Sequence, residues 1–512
     1  MGTSARGDAP KTILMRGSME VMSSQQVTKI LKYSTIKQKL SLSPSTYEDV
    51  TITNSNYKLL RNLISDNIKS GKEVGSDSYI HKSSRFFLRT KALQRDTFLL
   101  DITKESAVPI IPQSFVDQKL RKGMVLISKD SNIGEVGYLE KNYPEYMMSA
   151  GLIALEIPND PFYVLSIMKS NIFRAQLNAM VPPGTIIKHA KKMFLDCKIP
   201  FPNNKILETI MLVEELTKAI IRRESEIHTK YKQISNIFEQ ELFNNCEHKD
   251  FSHYFPKYSE LKNTLRLDTG IYEREYLSFI NCIETYKGGC FKVPLDFIKG
   301  GNTPKNRIFG KGYKKWITPS IFGELGYLTA DERIICEENN ITKDCVIIKN
   351  RTLKEKLGRF VGTAVFYEFG KMGLGQHNQG CYRIEDYDSS KLKYIALVLN
   401  TQIYRKICGY VSHGSKMREI KSNQFASIPF PEIGDEIRKN LIGLYYKDIE
   451  MLNHRNVPII EMEQFDLQNI TQFGILQLAS QLQFFQRKLS DVIGNIVDDK
   501  EIDFDLTSIV IP

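Results

Sequence analysis

The sequence predicts an α+β protein in which two mixed, strand-rich bodies are separated by long antiparallel, coiled-coil-like helices. Three observations support this class: an unbroken helical stretch in the middle of the chain, a second one near its end, and an internal repeat with a pseudo-two-fold plan. The length of 512 residues points the same way, because one hydrophobic core rarely serves so long a chain.

The middle stretch runs from Asn203 to Phe243 and contains neither Pro nor Gly. Its apolar residues recur at alternating steps of four and three, the heptad pattern of a helix that packs against another helix. Thr217 and Glu224 interrupt this seam, and we expect weaker packing there. At 1.5 Å per residue, about 40 residues give a rod of roughly 60 Å. The seam residues are Ile206, Ile210, Val213, Ile220, Ile227 and Ile234.

A second seam, from about Thr471 to Asp498, is the predicted antiparallel partner of this rod. Its apolar residues alternate steps of three and four without a break. They include Leu478, Leu482, Phe485, Leu489, Val492 and Ile496.

The internal repeat is visible at both ends of each body. The stretch that begins at Lys32 (KYSTIKQKLSLSPSTY) returns at Lys257 (KYSELKNTLRLDTGIY), and the tetrapeptide Ile-Pro-Phe-Pro closes each body at Ile199 and Ile428. Two further pairs follow the same order, namely Ile172-Phe173-Arg174 with Ile403-Tyr404-Arg405 and Gly184-Thr185 with Gly414-Ser415. Four matches in one order indicate duplication of a whole domain.

The repeat sets the expected boundaries. They are a flexible or short helical arm at 1–31, a first body with its lead-in at 32–202, a spacer helix at 203–250, a second body with its lead-in at 251–431, a helix at 432–454, a loop at 455–470, and a C-terminal helix and tail at 471–512. Inside the bodies, apolar patterning predicts strands at Met124–Ser128, Leu152–Leu155, Val346–Lys349 and Cys381–Ile384, and helices at Pro161–Leu177 and Lys391–Cys408.

Charge and composition restrict the partners. The net charge of +11 and the pI of about 9.0 favour a polyanion, although a merely soluble basic protein fits equally well. No apolar run is long enough for a bilayer and no secretory signal is recognisable, so a cytoplasmic protein with reduced thiols is expected. The eight cysteines form no CxxC pair, and we therefore expect no metal site.

No catalytic motif stands out. The stretch Gly409–Lys416 resembles a P-loop, but its Ser and Lys are in the wrong order to hold phosphates. The chain has no HExxH pair, no Asn/Asp-Pro-Pro-aromatic tetrapeptide and no cluster of carboxylates that marks an acid–base pair. We expect a binding protein that is not an enzyme and holds no cofactor itself.

Polar loops supply the candidate binding residues. Lys and Arg can pair with phosphates, while Asn, Gln, Ser, Thr and Arg can read base edges. The alternative for each residue is an ordinary solvated loop. In the first body the candidates are Arg85, Arg89, Lys91, Lys129, Ser131, Asn132, Thr185, Lys188 and His189. In the second body they are Thr303, Lys305, Lys314, Lys315, Trp316, Thr318, Ser320, His377, Asn378, Gln379, His413, Ser415, Lys416 and Arg418.

Taken together, these features resemble the specificity subunit of type I restriction–modification enzymes from about Lys32 to Asp498. Two divergent bodies each end in Ile-Pro-x-Pro and are followed by a helix. The similar motifs are the Gly300-Gly301-Asn302-Thr303-Pro304 turn, Trp316-Ile317-Thr318-Pro319-Ser320, His377-Asn378-Gln379-Gly380, Arg266-Leu267-Asp268 before Tyr272, and the GMVLISKD stretch from Gly123. The first body departs from the pattern: it lacks the GGxTP turn and the Trp-Ile-Thr-Pro loop.

The resemblance implies that each body is a target recognition domain that binds double-stranded DNA. The two domains would read the halves of a split, asymmetric site. The helices would set the distance between the two domains, as a ruler does. They would also form the docking surface for two modification subunits, which carry S-adenosylmethionine and methylate adenine. Restriction (motor-nuclease) subunits, which use ATP and Mg²⁺, would join them in a prokaryotic cytoplasm.

Two rival functions remain at this point. One is a specificity-like DNA-recognition subunit of another methyltransferase-based defence system. The other is a scaffold whose two bodies bind proteins rather than DNA. A hidden nuclease or methyltransferase is disfavoured because the sequence lacks its motifs.

Overall fold

The computed structural model describes residues 14–15, 29–30, 52–103, 105–181, 189–264, 266–267, 269–323, 325–353, 361–414, 417–452, 454–502 and 505–511. The lead-in of the first copy and four candidate residues, Thr185, Lys188, Ser415 and Lys416, lie outside the described residues. No helix in the described ranges is long and apolar enough to cross a membrane.

The chain forms two compact units, each assembled from separate stretches of chain. Unit 1 comprises residues 1–224, 456–466 and 484–511, and unit 2 comprises residues 225–455, 467–483 and 512. Both units combine helices with small sheets, so the predicted α+β class is confirmed.

Unit 1 holds its core between two small sheets. Its strands are β1 (Leu14–Met15), β2 (Lys29–Ile30), β3 (Tyr57–Leu59), β4 (Lys69–Ser70), β5 (Phe86–Leu88), β6 (Ala107–Pro109), β7 (Val125–Ser128), β8 (Val136–Tyr138), β9 (Tyr146–Met148), β10 (Leu152–Leu155), β11 (Lys198–Pro200), β23 (Asn456–Pro458) and β24 (Ser508–Val510). One sheet has the order β4-β10-β7-β8, and the other has the order β6-β5-β9 with β5 and β9 parallel. Leu88, Leu126, Met148 and Leu152 from both sheets share one buried cluster.

Unit 2 repeats this arrangement. Its strands are β12 (Cys290–Lys292), β13 (Ile298–Gly300), β14 (Ile308–Ile317), β15 (Arg333–Ile335), β16 (Cys345–Lys349), β17 (Arg351–Leu353), β18 (Ala364–Tyr367), β19 (Gly375–His377), β20 (Cys381–Ile384), β21 (Met417–Glu419) and β22 (Pro429–Pro431). One sheet has the order β13-β20-β16-β18, and the other has the order β15-β14-β19 with β14 and β19 parallel. The two units therefore share one topology, as expected from the repeated sequence anchors.

The two closing tetrapeptides make similar contacts that are shifted by two residues, since Pro200 is the second residue of its tetrapeptide and Pro431 is the fourth. Pro200 lies in β11, which pairs with β3, and both Pro429 and Pro431 lie in β22, which pairs with β12. The Tyr163 hydroxyl donates to the Pro200 carbonyl oxygen at 2.7 Å in unit 1, and the Tyr394 hydroxyl donates to that of Pro431 at 2.6 Å in unit 2. Such matching of buried hydroxyl contacts supports the duplication, because a buried hydroxyl needs a hydrogen-bond partner.

Helices flank the sheets. They are α1 (Pro161–Lys169), α2 (Asn171–Met180), α3 (Ile206–Asn244), α4 (Tyr258–Thr264), α5 (Arg274–Glu284), α6 (Phe369–Met372), α7 (Ser389–Leu399), α8 (Gln402–Val411), α9 (Ser422–Ala426), α10 (Asp435–Tyr445), α11 (Met462–Asn469) and α12 (Ile475–Asp498).

Two predicted helices are each divided into two. The predicted helix Pro161–Leu177 breaks at Ser170, and the predicted helix Lys391–Cys408 breaks at Thr401. Both break residues have extended backbone angles, and their hydroxyls donate to the carbonyl oxygens of Ile167 and Val398. Ser and Thr side chains compete with helical hydrogen bonds in this way, which favours the end of the preceding helix.

The C-terminal elements differ from the prediction in two places. The helix that begins after the second Ile-Pro-Phe-Pro ends at Tyr445 rather than near residue 454. The stretch 455–470, expected to be a loop, contains α11. Asp466 explains why α11 is ordered against α3: its carboxylate is 1% exposed and binds both Arg222 and Arg223 of α3.

Helices α3 and α12 run antiparallel in unit 1. Arg223 of α3 lies over the Phe485 ring of α12 at 4.3 Å, whereas Asn203, just before α3, donates to Asp499, just after α12, at 2.7 Å. Most predicted seam residues are buried, but Ile206 is 45% exposed and Ile210 is half-buried. The seam therefore begins near Val213.

Both polar interruptions of the seam have hydrogen-bond partners. The Thr217 hydroxyl donates to the Val213 carbonyl oxygen at 2.7 Å. The Glu224 carboxylate is buried and accepts from the backbone N–H groups of Phe98, at 2.9 Å, and Leu99, at 3.1 Å. Glu224 thus attaches α3 to the globular part of unit 1, a role that a purely apolar seam residue could not fill.

Candidate nucleic-acid interface

The candidate loops of unit 1 meet around Gly151. Strand β5 leads into Arg89–Lys91, β7 leads into Lys129–Asn132, and a tight turn joins β9 to β10. A Cβ atom placed on Gly151 would lie 2.8 Å from Thr90 Cγ2 and 3.5 Å from Asp130 Cβ. These three loops are therefore neighbours at one edge of the unit.

His189 joins the same group from the end of the body. Its backbone forms an antiparallel bridge with Asp130, and its Nδ1 atom lies 2.6 Å from Asp130 Oδ1. The backbone N–H of Ala190 also donates to the Lys129 carbonyl oxygen at 2.8 Å. The segment before the closing strand thus lies against the loop after β7, with the His189 side chain 55% exposed.

The basic candidates of unit 1 differ in how tightly they are held. The Arg85 guanidinium stacks on the Phe115 ring at 4.5 Å and donates to the Pro144 carbonyl oxygen at 3.0 Å. Arg89 lies over the Tyr79 ring at 5.0 Å. Lys91 and Glu105 form an exposed ion pair at 3.6 Å. Such pairs contribute little to stability, so the Lys91 ammonium can leave Glu105 at little cost in free energy. Ser131 and Asn132 are exposed, and Lys129 is half-buried.

The candidate loops of unit 2 also meet at one edge, around Gly301. The backbone N–H of Asn302 donates to the His377 carbonyl oxygen at 3.1 Å, and that of Asn378 donates to the Ile317 carbonyl oxygen at 3.0 Å. A Cβ atom on Gly301 would clash with the carbonyl oxygen of Asn378. Glycine is required there because the GGxTP turn and the 377–380 loop approach backbone to backbone.

A network of side-chain amides around the buried Gln376 and His377 supports this edge. Gln376 Nε2 donates to Asn302 Oδ1 at 2.6 Å, Asn340 Nδ2 donates to the His377 carbonyl oxygen at 3.0 Å, and His377 Nδ1 lies 2.7 Å from Asn340 Oδ1. Burial, with a smaller contribution from Arg383, lowers the pKa of His377 to about 3. The imidazole is therefore neutral near pH 7, and Nδ1–H donates to Asn340 Oδ1.

Burial corrects three of the candidate DNA contacts. Lys314 is 2% exposed and donates to the carbonyl oxygens of Cys336, Glu337 and Glu338. Trp316 is 4% exposed and His377 is fully buried. These side chains position the loops and do not face a partner. Lys315 is also engaged, because its Nζ atom lies 3.0 Å from Asp331.

Other candidates of unit 2 do lie at the surface. Lys305, Ser320 and Gln379 are exposed. Thr303, Thr318, Asn378, His413 and Arg418 are half-buried. The Thr303 hydroxyl donates to the Gln379 side chain, and the Thr318 and Ser320 hydroxyls lie 2.6 Å apart. This edge can offer amides and hydroxyls to base edges and an ammonium group to a phosphate.

The second copy has a strand pair in a place where the described residues of the first copy show a bridge. Strands β17 and β21 pair Arg351 with Glu419 directly after β16, in the place where Asp130 bridges His189 after β7. Arg351 Nη2 also donates to the Gln379 carbonyl oxygen at 3.0 Å, and Arg418 Nη1 donates to that of Ser412 at 3.0 Å. Arg351 therefore links the 377–380 loop to the segment before the closing strand.

The sequence pattern missed Arg351, Asn340 and Gln376 as members of this edge. Gln376 precedes the His-Asn-Gln motif by one residue, which is the signal that could have found it. Asn340 and Arg351 belong to no motif and are placed only by the fold. Among the described residues, one group could hold a metal ion, and it lies in unit 2 outside these loops.

Comparisons with known proteins give matches among solved structures. No protein-family model and no curated protein matches the chain. The S subunit of a type I restriction-modification system from M. genitalium is 13% identical, with a TM-score of 0.37, over 91% of this chain and 99% of that one. The HsdS subunit from Thermoanaerobacter tengcongensis is 12% identical, with a TM-score of 0.27, over 86% and 96%. A chain from a study of complex assembly and conformational transition of the type I R-M system is 12% identical, with a TM-score of 0.26, over 87% and 98%. The chain is thus similar along most of its length to chains of type I restriction-modification systems, two of which are S subunits.

Proposed function

We propose that this chain is the sequence-specific DNA-binding specificity subunit of a type I restriction–modification enzyme. The observation that carries the proposal is that one topology occurs twice, and that each copy gathers a different set of polar loop residues at the equivalent edge. Two non-identical readers suit a split asymmetric site, whereas a two-fold protein suits a palindrome. The net charge of +11 is favourable for binding to phosphates.

Each unit is proposed to read one half of the site. In unit 1, Lys129, Ser131, Asn132 and His189 would contact DNA, with Arg89 and Lys91 beside them. In unit 2, Lys305, Ser320, Gln379 and Arg418 would do so, supported by the amide network next to Gly301. Thr185, Lys188, Ser415 and Lys416 remain candidates from the sequence.

The helices are proposed to dock two modification subunits. Helix α3 exposes three apolar side chains at its start, where Ile206 is 45%, Leu207 80% and Met211 39% exposed. Exposed apolar patches of this kind favour protein contact. Those subunits would bring S-adenosylmethionine and the adenine methylation chemistry, and restriction subunits would bring ATP, Mg²⁺ and cleavage. The chain itself is then non-catalytic.

The direct test is long-read mapping of methylated adenines in a methylation-free host that expresses the modification subunits with and without this chain. We expect a two-part asymmetric motif that appears only with the chain. Gln379→Ala should relax the second half of the motif, and Asn132→Ala should relax the first. Lys287→Ala, an exposed lysine outside both edges, is the control.

Each outcome has a definite meaning. A motif that is unchanged by both edge variants would contradict the assignment of the edges. Chain-dependent binding of proteins without any methylation would favour the scaffold alternative. With restriction subunits expressed as well, methylation without cleavage of unmodified DNA would favour a specificity-like subunit of another methyltransferase-based system.

A further inference from the structure

Three metal-ligating side chains meet where α3 ends in unit 2. Cys246 and His248 follow α3, and Cys282 lies in α5. The two sulfur atoms and a ring nitrogen all lie within 4.8 Å of one another. Cys282 Sγ is 3.9 Å from His248 Nδ1. In a tetrahedral zinc site, bonds of about 2.3 Å to sulfur and about 2.0 Å to nitrogen place neighbouring ligand atoms roughly 3.5–3.8 Å apart.

The histidine is oriented as a metal ligand usually is. Its Nε2 atom lies 2.9 Å from the carbonyl oxygen of Phe243, so Nε2 carries the hydrogen and donates to it. The lone pair is then on Nδ1, the nitrogen that faces Cys282. Metal-binding histidines typically donate their other ring N–H to a carbonyl or carboxylate, which fixes both the tautomer and the ring orientation.

The backbone between the first two ligands is held in place by α5. The N–H of Glu247 donates to the Thr285 hydroxyl at 3.0 Å, and Asn281 Nδ2 donates to the Glu247 carbonyl oxygen at 2.6 Å. The N–H of Lys287 also donates to the Asn245 carbonyl oxygen at 2.9 Å. The three ligands therefore come from two segments whose register is already set, which lowers the entropic cost of binding an ion.

We propose that Cys246, His248 and Cys282 bind a zinc ion, with a water molecule as the fourth ligand. Binding releases the two thiol protons to solvent, so Zn²⁺ is held by two thiolates and a neutral imidazole. The resulting site carries no net charge, which suits a place where Cys282 is buried and His248 is exposed. The exposed His248 side leaves room for the water.

The ion would cross-link the end of α3 to α5 within unit 2. The sequence expectation of no metal site rested on the lack of CxxC, but Cys246-Glu247-His248 is a CxH pair whose third ligand, Cys282, is brought close only by the fold. This proposal is independent of DNA recognition, since none of the three residues lies at the loop edge of unit 2.

The test measures metal content and stability of the full-length chain, purified with its partner subunits if they are needed for solubility. We expect about one zinc per chain by elemental analysis, and thiolate-to-cobalt absorption bands when Co²⁺ replaces zinc. Cys282→Ser and His248→Gln should each lower zinc content at least tenfold. Cys290→Ser and His253→Gln, exposed residues of the same unit outside the cluster, should retain it.

Chelation provides a second readout. Removal of zinc should lower the Tm of the wild type and of the control variants by several degrees, and should leave the Tm of His248→Gln unchanged. Because His248 is exposed, that variant should fold even if Cys282→Ser does not. Zinc content below one ion per ten chains would overturn the proposal. So would a disulfide between Cys246 and Cys282, detected by mass spectrometry of the intact chain.

Discussion

At the residue scale, the edge of unit 2 requires a glycine at position 301, because a Cβ atom has no space there. Gly301 approaches the carbonyl oxygens of both Asn378 and His377, the latter at 2.6 Å from a Cβ built on it. Its neighbour Gly300 has open space at the same position. Two adjacent glycines therefore have different structural requirements, although the sequence motif does not distinguish them.

We predict that Gly301→Ala disrupts recognition by unit 2 and that Gly300→Ala does not. The added methyl group has to displace backbone, so the GGxTP turn moves away from the 377–380 loop. Methylation at the second half-site should fall at least tenfold for Gly301→Ala. Comparable methylation by both variants in the long-read assay would show that this turn is not part of the reading surface.

The buried imidazole of His377 predicts a pH dependence of stability. Its pKa is about 3 in the folded chain, below the ordinary value of 6.5 in the unfolded chain. Between these values the unfolded state binds the extra proton, so this contribution is complete above pH 6.5 and is lost as the pH falls towards 3. The slope for one such group is about 1.4 kcal/mol per pH unit.

Urea unfolding at pH 7.0, 5.5 and 4.5 checks this dependence. His377→Gln should lose less stability on acidification than the wild type, and His413→Gln is the matched control at the same edge. Some slope should remain in every variant, because burial also lowers the pKa of His228, to about 4. An undiminished slope in His377→Gln would contradict the buried neutral imidazole.

At the element scale, the attachment of α11 to α3 depends on a buried ion pair. Arg223 is fully buried, and its guanidinium forms two 2.9 Å hydrogen bonds with Asp466. A bidentate pair of this kind fixes the register of the two helices. Removal of one partner leaves an uncompensated buried charge, which lowers the free energy of unfolding.

We therefore predict that Asp466→Ala destabilises unit 1 by about 3–5 kcal/mol. Asp498→Ala removes an acid from an exposed pair with Lys500 in the same unit and should cost less than about 1 kcal/mol. Calorimetry or denaturant unfolding of the full chain compares the two. Equal effects would show that the Arg223 charge finds other compensation when Asp466 is removed.

The elements also show which features sequence patterns can predict. Heptad periodicity predicted α3 and α12 because burial of one helical face imposes that spacing. The breaks at Ser170 and Thr401 were missed because they do not change the apolar spacing, and a side-chain hydroxyl bonds the last turn of the preceding helix. Lys314 and Trp316 were taken for loop residues, although β14 continues through them to Ile317. The residue types alone do not indicate that the Lys314 ammonium donates to three backbone carbonyl oxygens.

At the scale of the whole molecule, the internal repeat predicts the behaviour of half a chain. A fragment ending near Lys249 keeps one body and all of α3 but loses α12, so the seam from Val213 onward is exposed. Exposed apolar seams favour self-association, and two antiparallel copies would be related by a two-fold axis. We predict that this dimer, with modification subunits, methylates an inverted repeat of the first half-site. Long-read mapping checks it, and a motif that still contains the second half-site would show that the units are misassigned.

Unit 1 is completed by residues from the last part of the chain. Strand β24 pairs with β23, and Asn54 donates from its side chain to the carbonyl oxygen of Ile496 at 2.8 Å. During synthesis these residues leave the ribosome only after most of unit 2 has emerged. Domains usually fold in the order in which they are made. Here the first domain to be translated is the last that can complete its fold. Premature termination near the C-terminus would therefore damage the N-terminal unit, and a nascent chain stalled before residue 484 would expose an incomplete unit 1 to chaperones and proteases until a second copy covers its seam.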